Sequence, residues 1–301
     1  MKKKRYVYPF ILIALFLLTA SAQADDLGLG FSFKVGGGIG QLKSRDLNAY
    51  GESYENHFDD IATSWIGSKE GGFNNLNTLG GEVGFDVLFN FTEYFAIGFG
   101  FGSFPRKPQS DFSIQEEDVI SFAAILDPRI SNSSLTVSLY YFYPFTSNLR
   151  VYINPGAGLY LSKTVLNTNS EYDETGVLSY SETVELSTND LAFGFQGGLG
   201  VEMTVGGYMG VFIEASGRYA KLKSYRGRLK YTFLSSEGAI VANTTSGNLW
   251  YFEKYNSSLA NWYSQIQVSE EAPSGSDIRN ARAFTVDLSG FSIRIGIRLK
   301  L

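Results

Sequence analysis

The last eleven residues of the chain, 291–301, read FSIRIGIRLKL. Every odd position from Phe291 to Leu301 carries a large apolar residue, whereas the even positions carry serine, arginine, glycine, arginine and lysine. Side chains of a β-strand point alternately to its two faces, so this period of two predicts a strand with one apolar and one polar face.

The same alternation recurs in earlier segments, and one parity always carries the large apolar residues. In the first, Phe31, Phe33 and Val35 alternate with Ser32 and Lys34. The eight segments are 27–42, 83–89, 95–101, 135–144, 149–163, 190–205, 209–223 and 291–301. They predict an all-β fold of eight antiparallel strands.

The composition excludes several classes of protein. The 301 residues include 33 Gly, 24 Phe and 19 Tyr but no Cys, which rules out disulfides, thiolate metal centres and a cysteine nucleophile. A net charge of −5, with no basic run beyond residue 5, argues against a nucleic-acid partner. The mean hydropathy of −0.06 suits neither a helical membrane bundle nor a disordered chain.

The connections between the predicted strands alternate between short and long. Residues 91–94, 145–148 and 206–208 form short turns, and the long connections are 43–79, 105–134, 164–189 and 224–285. All short turns then lie at one end of the fold and all long loops at the other. This asymmetry predicts an up-and-down transmembrane barrel with short periplasmic turns and long extracellular loops, and disfavours a soluble lipocalin-like barrel.

The first 24 residues have the three parts of a signal peptide. Four basic residues at 2–5 precede an apolar stretch at 8–20, and Ala22-Gln23-Ala24 forms a small-x-small cleavage site. The apolar stretch is shorter than the roughly 20 residues that a membrane-spanning helix needs. We therefore expect a signal peptide at 1–24 and one barrel domain at 25–301, exported to a Gram-negative cell envelope.

Three parts of the chain resemble a known family. They are the strand–turn–strand 83–102 around Asn90-Phe91-Thr92-Glu93-Tyr94, the run 152–158 and the ending 296–301. They are similar to the eight-stranded outer-membrane barrels that include OmpA-like, OmpX-like and OmpW-like proteins. The resemblance implies location in the cell outer membrane, surrounded by outer-membrane lipid and lipopolysaccharide.

The ending also resembles the family's C-terminal assembly signal. Gly296, Leu299 and Leu301 are the positions that carry this likeness. Leu301 departs from the pattern, since an aromatic residue is usual at that place. The resemblance implies insertion by the barrel-insertion machinery.

Nine charged residues share the even, inward parity of the predicted strands. An eight-stranded barrel is filled by its own side chains, and buried charges need partners. We expect an ion-pair network that plugs the barrel, with Arg298 paired to Glu202 and Arg294 paired to Glu214. The alternative is a narrow ion path through the same charges. The predicted plug comprises Lys34, Glu82, Asp86, Arg150, Glu202, Glu214, Arg218, Arg294 and Arg298.

Two positions depart from regular alternation. Val286 and Leu288 are even, yet the apolar parity is odd from Phe291 onward, which predicts a phase slip with a bulge at Ser289-Gly290. Pro155 removes one ladder donor inside a predicted strand, and we expect a bulge or bend there.

The last long connection concentrates aromatic residues. We expect either an external contact surface for an unknown partner or a small core within the loop. The candidate contact residues are Trp250, Tyr251, Phe252, Trp262 and Tyr263.

The sole histidine, His57, lies near Asp59, Asp60 and Ser64 in the first long connection. Some outer-membrane enzymes that modify lipid A place a histidine beside serine or acidic partners at the external rim. We expect no enzymatic activity, no catalytic residue and no metal or other cofactor. The sequence predicts a monomeric barrel with a structural or surface-interaction role; a small-solute or ion channel is the first alternative and a lipid A-modifying enzyme the second.

Overall fold

A computed structural model describes residues 30–65, 67–76, 79–116, 120–174, 178–223, 225–235 and 240–301. The predicted signal peptide, residues 1–24, lies outside the described residues.

The described residues form antiparallel strands and one helix, which confirms the predicted all-β class. The helix is α1 (Arg45–Trp65). The strands are β1 (Gly30–Gly40), β2 (Ser68–Gly72), β3 (Gly80–Asn90), β4 (Phe95–Ser103), β5 (Ser110–Glu116), β6 (Ile120–Pro144), β7 (Leu149–Ile153), β8 (Gly156–Glu174), β9 (Leu178–Val205), β10 (Met209–Leu222), β11 (Arg226–Ser235), β12 (Ile240–Asn256), β13 (Asn261–Ser269), β14 (Ile278–Ala283), β15 (Val286–Asp287) and β16 (Gly290–Lys300).

The strand pairing closes on itself. From β1 the ladders run through β3, β4, β6, the β7–β8 segment, β9, β10 and β16, and β16 pairs back onto β1. We call the end with turns 91–94, 145–148 and 206–208 the turn end of this barrel. We call the opposite end the extension end. There the sheet continues beyond the closed barrel in strands β5, β6, β8, β9, β11 and β12.

The sixteen strands differ from the predicted eight because the long connections are largely regular structure. Instead of loops, 105–134, 164–189 and 224–285 supply strands that lengthen the sheet at the extension end. The backbone of these segments pairs into antiparallel ladders that continue those of the barrel.

Odd and even residues face opposite sides of the barrel. On β16, the exposed fractions of Ile293 and Ile295 are 48% and 63%, whereas those of Ser292 and Arg298 are 1% and 2%. The large apolar residues therefore form an outward band and the charged residues face inward.

The apolar phase does not slip at Ser289-Gly290, although on the β1 side the pairing shifts by two residues between Gly40–Ser292 and Lys43–Asp287, so the predicted bulge lies on that side only. Arg218 pairs with Gly290 and Lys221 with Asp287, so β15 and β16 keep one register along β10. Even residues point inward throughout. Val286 and Leu288 are apolar because the interior itself becomes apolar beyond the outward band, where they join a buried cluster.

The predicted bulge at Pro155 is wrong. Ile153 pairs with Leu199 and Gly156 with Gln196, so no residue is inserted relative to β9. Proline removes one ladder donor, but the Asn154 amide still donates to the Gly198 carbonyl at 3.0 Å, and the Pro155 carbonyl accepts from the Leu139 amide at 2.9 Å.

Helix α1 occupies part of the first predicted loop. It begins after Ser44, and Leu47 and Phe58 are buried on its inner side. The helix lies between the two sheet margins formed by β13 and β2: Ser53 Oγ accepts from the Ser264 amide at 2.6 Å, and a Glu55 oxygen lies 3.3 Å from Lys69 Nζ. It thereby covers strand edges that would otherwise be unpaired.

In the described part of the chain, no helix is both long and apolar enough to cross a membrane.

Candidate functional site

The barrel interior begins at the turn end with a cluster of charges around Glu202. Arg150 Nη2 donates to Glu202 at 2.5 Å, and Arg298 Nη1 lies 3.5 Å from the other carboxylate oxygen. Arg298 also donates to Ser32 Oγ at 2.8 Å and to Asn90 Oδ1 at 2.5 Å. Five strands (β1, β3, β7, β9 and β16) thus meet through Arg298 and Glu202.

Aromatic rings fill the next level. The Nζ atom of Lys34 lies 5.2, 4.7 and 4.4 Å from the ring centres of Tyr140, Tyr152 and Phe212. These three rings belong to one buried cluster with Leu88. The ammonium group is therefore held by ring faces on one side, and the rings occupy the cross-section of the barrel.

Glu214 is the centre of the interior network. Its carboxylate pairs with Lys34 and with Arg294, and its side chain is 0% exposed. It also accepts from the Tyr152 hydroxyl and from Asn154 Nδ2, both at 3.0 Å. Four donors compensate the loss of hydration of this carboxylate.

A second pair lies closer to the extension end. Arg218 Nη1 is 3.5 Å from Glu82, whose other oxygen accepts from Ser292 Oγ at 3.1 Å. The Arg218 guanidinium stacks 3.8 Å from the Phe104 ring centre and donates to the Leu288 carbonyl at 2.9 Å.

The space left in the interior at the level of Glu82 and Glu214 is small. A cavity of about 30 Å³ lies among Asp86, Glu82, Glu214, Arg218 and Arg294. That volume holds one or two water molecules and no larger solute. The structure thus brings all nine predicted plug residues to the interior, and eight of them form the ion pairs described above.

Arg106 also lies at this interior, although it falls in a predicted loop and was not among the predicted plug residues. Its side chain is 4% exposed and donates to the carbonyls of Gly40, Gly81 and Pro105. Its even number would have predicted an inward side chain, since the even-numbered residues of β4 face inward. With it, six interior cations face four carboxylates.

The residues of the predicted assembly signal lie on both faces of β16. Leu299 and Leu301 are 44% and 53% exposed and belong to the outward apolar face. Gly296 faces inward, and a Cβ atom there would overlap the Val35 carbonyl and the Phe212 ring. The close approach of β1 to β16 explains why glycine occupies this position.

The predicted external contact residues are mostly buried, which corrects that hypothesis. Tyr251, Phe252 and Tyr263 are 6%, 4% and 4% exposed; Tyr251 belongs to the buried apolar cluster, and Tyr263 packs on His57 of the helix. Trp250 and Trp262 are half-buried. The burial of Tyr251, Phe252 and Tyr263 favours the alternative prediction, a small core within this connection.

His57 packs on this core rather than facing a cleft. Its ring centre lies 4.5 Å from that of Tyr263, whose hydroxyl donates to Asp60. Burial lowers the pKa of His57, and the Tyr263 hydrogen bond lowers the pKa of Asp60. Burial, together with Asp60, raises the pKa of Tyr263 to about 12.

The Ser64 hydroxyl donates to the Ile61 carbonyl at 2.9 Å and not to His57. Among the described residues, no three His, Asp or Glu side chains are grouped as metal ligands.

A closed antiparallel barrel with an apolar outer band and a charged interior defines the class of membrane β-barrels. A family model for the outer membrane protein β-barrel domain matches residues 10–251. The match spans more than half of the chain, and the chain belongs to this family.

No curated protein matches the sequence. Among solved structures, the crystal structure of the outer membrane protein OprG from Pseudomonas aeruginosa is similar at a TM-score of 0.37 and 10% identity, covering 90% of this chain and 95% of that chain. This likeness is too distant to inform function.

Proposed function

We propose that the protein is a closed, non-conducting outer-membrane barrel with eight spanning segments, serving a structural or surface-interaction role without enzymatic activity. The observation that carries this proposal is the filled interior. Ion pairs and aromatic rings succeed one another along the barrel and leave a cavity of about 30 Å³ among its charges.

The number and length of the segments support the proposal. Eight segments follow one another around the closed pairing circuit, and a barrel of that size is filled by side chains. Strands β1, β3 and β16 each have 11 residues, the length that a tilted membrane-spanning strand requires.

The outward band has an abrupt limit, as a lipid-facing surface should. Leu161 and Leu191 are exposed on β8 and β9, and the next outward residues on these strands are Lys163 and Asn189. We place the extension end outside the cell and the turn end in the periplasm. In this orientation the lengthened sheet and helix α1 form the extracellular part.

A small-solute or ion channel is the second candidate. The six cations and four carboxylates of the interior favour it, since a shift of a few side chains would join the polar levels through trapped water. Against it stands the aromatic level around Lys34, which interrupts the polar interior.

An enzyme that modifies lipid A through His57 is the third candidate. It requires a substrate approach to His57, but the ring is packed on Tyr263 and Asp60 is engaged by Tyr263 and Asn261. Mass analysis of lipid A from cells with and without the protein tests it directly. We expect identical lipid A species, and a new species would establish the enzyme.

The surroundings of the barrel follow from the same proposal. We expect a monomer embedded in outer-membrane lipid and lipopolysaccharide, inserted by machinery that contacts the C-terminal strand. A partner of the structural role would bind the extracellular extension.

Fractionation and solute permeation test the proposed function together. Folded barrels migrate differently on gels before and after boiling, so the outer-membrane fraction should contain a heat-modifiable band. Liposomes carrying the refolded protein should not swell in sugar or amino-acid solutions. Swelling at the rate of a porin control would establish a channel instead.

A further inference from the structure

The outward surface directly above the apolar band is basic along one side of the barrel. Lys163, Asn189 and Arg226 lie opposite one another on β8, β9 and β11, and all three are exposed. Arg228 lies two residues further along β11 on the same face. Cross-strand neighbours on one face are about 5 Å apart, so the three cations form one patch.

Within the described residues, Lys163, Arg226 and Arg228 form no ion pair, although Glu270 lies on the wall shared by the two arginines. By contrast, Lys230 on the same strand lies 3.8 Å from Glu185, and Lys221 lies 4.0 Å from Asp287. Unpaired cations at the limit of an apolar surface are suited to anionic headgroups.

A groove accompanies the two arginines. Its volume is about 570 Å³, and its wall combines hydroxyl, amide and carboxylate groups with two glycines. Its lining residues are Ser187, Asn189, Arg226, Gly227, Arg228, Ser246, Gly247 and Glu270. Guanidinium groups bind phosphate oxygens, whereas the neutral groups and the Glu270 carboxylate are hydrogen-bonding partners for sugar hydroxyls.

We propose that this groove binds the phosphorylated sugar headgroup of a glycolipid in the outer leaflet, with Arg226 and Arg228 on the phosphate. The acyl chains of the same molecule would lie on the exposed band at Leu161, Leu191 and Phe193. This site rests on the proposed orientation in the membrane. It specifies further which class of lipid is bound and which residues select it.

Binding of purified lipopolysaccharide to the refolded protein in detergent tests this site. The variant Arg226→Gln/Arg228→Gln should bind roughly thirty-fold more weakly, because each basic side chain near an anionic surface contributes about fivefold. The matched control Lys230→Gln/Lys254→Gln removes the same charge from exposed positions further from the band and should stay within about twofold of the wild type.

Dephosphorylated lipid A is the second probe. The wild type should bind it as weakly as the arginine variant binds the intact lipid. Equal binding of intact and dephosphorylated lipid, unchanged affinity in the arginine variant, or an equal loss in the control would each overturn the inference.

The same samples separate this inference from the proposed function. Heat-modifiable mobility shows that every variant is folded, and liposome swelling reports the closed interior independently of lipid binding. A swelling-competent protein that still loses lipid binding in the arginine variant would refute the closed barrel and support the glycolipid site.

Discussion

Lys34 of β1 and Glu214 of β10 form an ion pair with side chains 2% and 0% exposed, although β16 lies between their strands. Arg294 of β16 contacts the same carboxylate. The pair therefore joins strands that share no ladder. It fastens three strands through the interior, at the level where aromatic rings fill the barrel.

The first prediction concerns the stability of this network. Glu214→Gln should destabilise the barrel by about 3–5 kcal/mol, because it leaves Lys34 and Arg294 buried without their counter-charge. Urea unfolding in detergent, followed by gel mobility, measures the change. Glu185→Gln is the control: its pair with Lys230 is half-exposed, and its loss should cost less than about 1 kcal/mol. Equal midpoints for Glu214→Gln and wild type would contradict the network.

The barrel-forming strands and the interior charges were predictable because their alternation is unambiguous. On β16 the odd residues Ile295 and Ile297 face outward, so Arg294 and Arg298 had to face inward. The short turns then brought Glu214 and Glu202 alongside those arginines.

The extension was not predicted because its apolar parity is inverted. Within the outward band the apolar residues are odd-numbered and face lipid. Beyond the band, toward the extension end, Leu186, Leu222 and Val286 are even-numbered and face an apolar core. The strands keep their register, but the inner face changes from polar to apolar surroundings. An alternation rule that follows a single parity reads these segments as loops.

The sequence of helix α1 contains a helical pattern that was not among the predictions. Leu47, Tyr50, Tyr54, Phe58 and Ile61 recur at intervals of three and four residues, which is the helical period. What no local pattern shows is that the helix lies between β13 and β2. That position depends in part on the β13 edge, where Ser264 lies 211 residues from its partner Ser53 on the helix.

The second prediction concerns orientation in the membrane. Ile295→Arg should cost about 2–4 kcal/mol at mid-strand, because hydrocarbon does not hydrate a guanidinium. Ile295→Met keeps the residue apolar and should cost less than about 1.5 kcal/mol. Refolding titrations into lipid vesicles measure both. If the two variants refold alike, the odd face does not meet lipid.

The third prediction concerns topology. An epitope inserted after Ser257, in the turn between β12 and β13, should be labelled on intact cells. An epitope at Gly207, in the turn between β9 and β10, should be labelled only after permeabilisation. The reverse pattern would place the extension in the periplasm and contradict the proposed orientation.

The fourth prediction concerns acid sensitivity of the contact between α1 and β13. Because burial lowers the pKa of His57, the folded state favours the neutral ring, and the contact should weaken as pH falls below about 6.5. Asp60 has a lowered pKa as well, so its contribution should be lost only as pH falls below about 4.

Hydrogen-exchange protection of residues 45–65, corrected for intrinsic rates, measures this loss. His57→Phe keeps an aromatic ring on Tyr263 but cannot bind a proton, so the loss between pH 6.5 and 5 should disappear in that variant. Protection that falls equally in both proteins would show that His57 is not the sensitive group.

The fifth prediction concerns the closed interior itself, and single-channel recording in planar bilayers tests it most directly. The wild type should show a steady baseline without conductance steps, because ion pairs and aromatic rings fill the barrel. Glu214→Gln/Arg294→Met should produce steps, since it loosens the network around Lys34. Regular conductance steps from the wild type, unchanged in this double variant, would contradict the account.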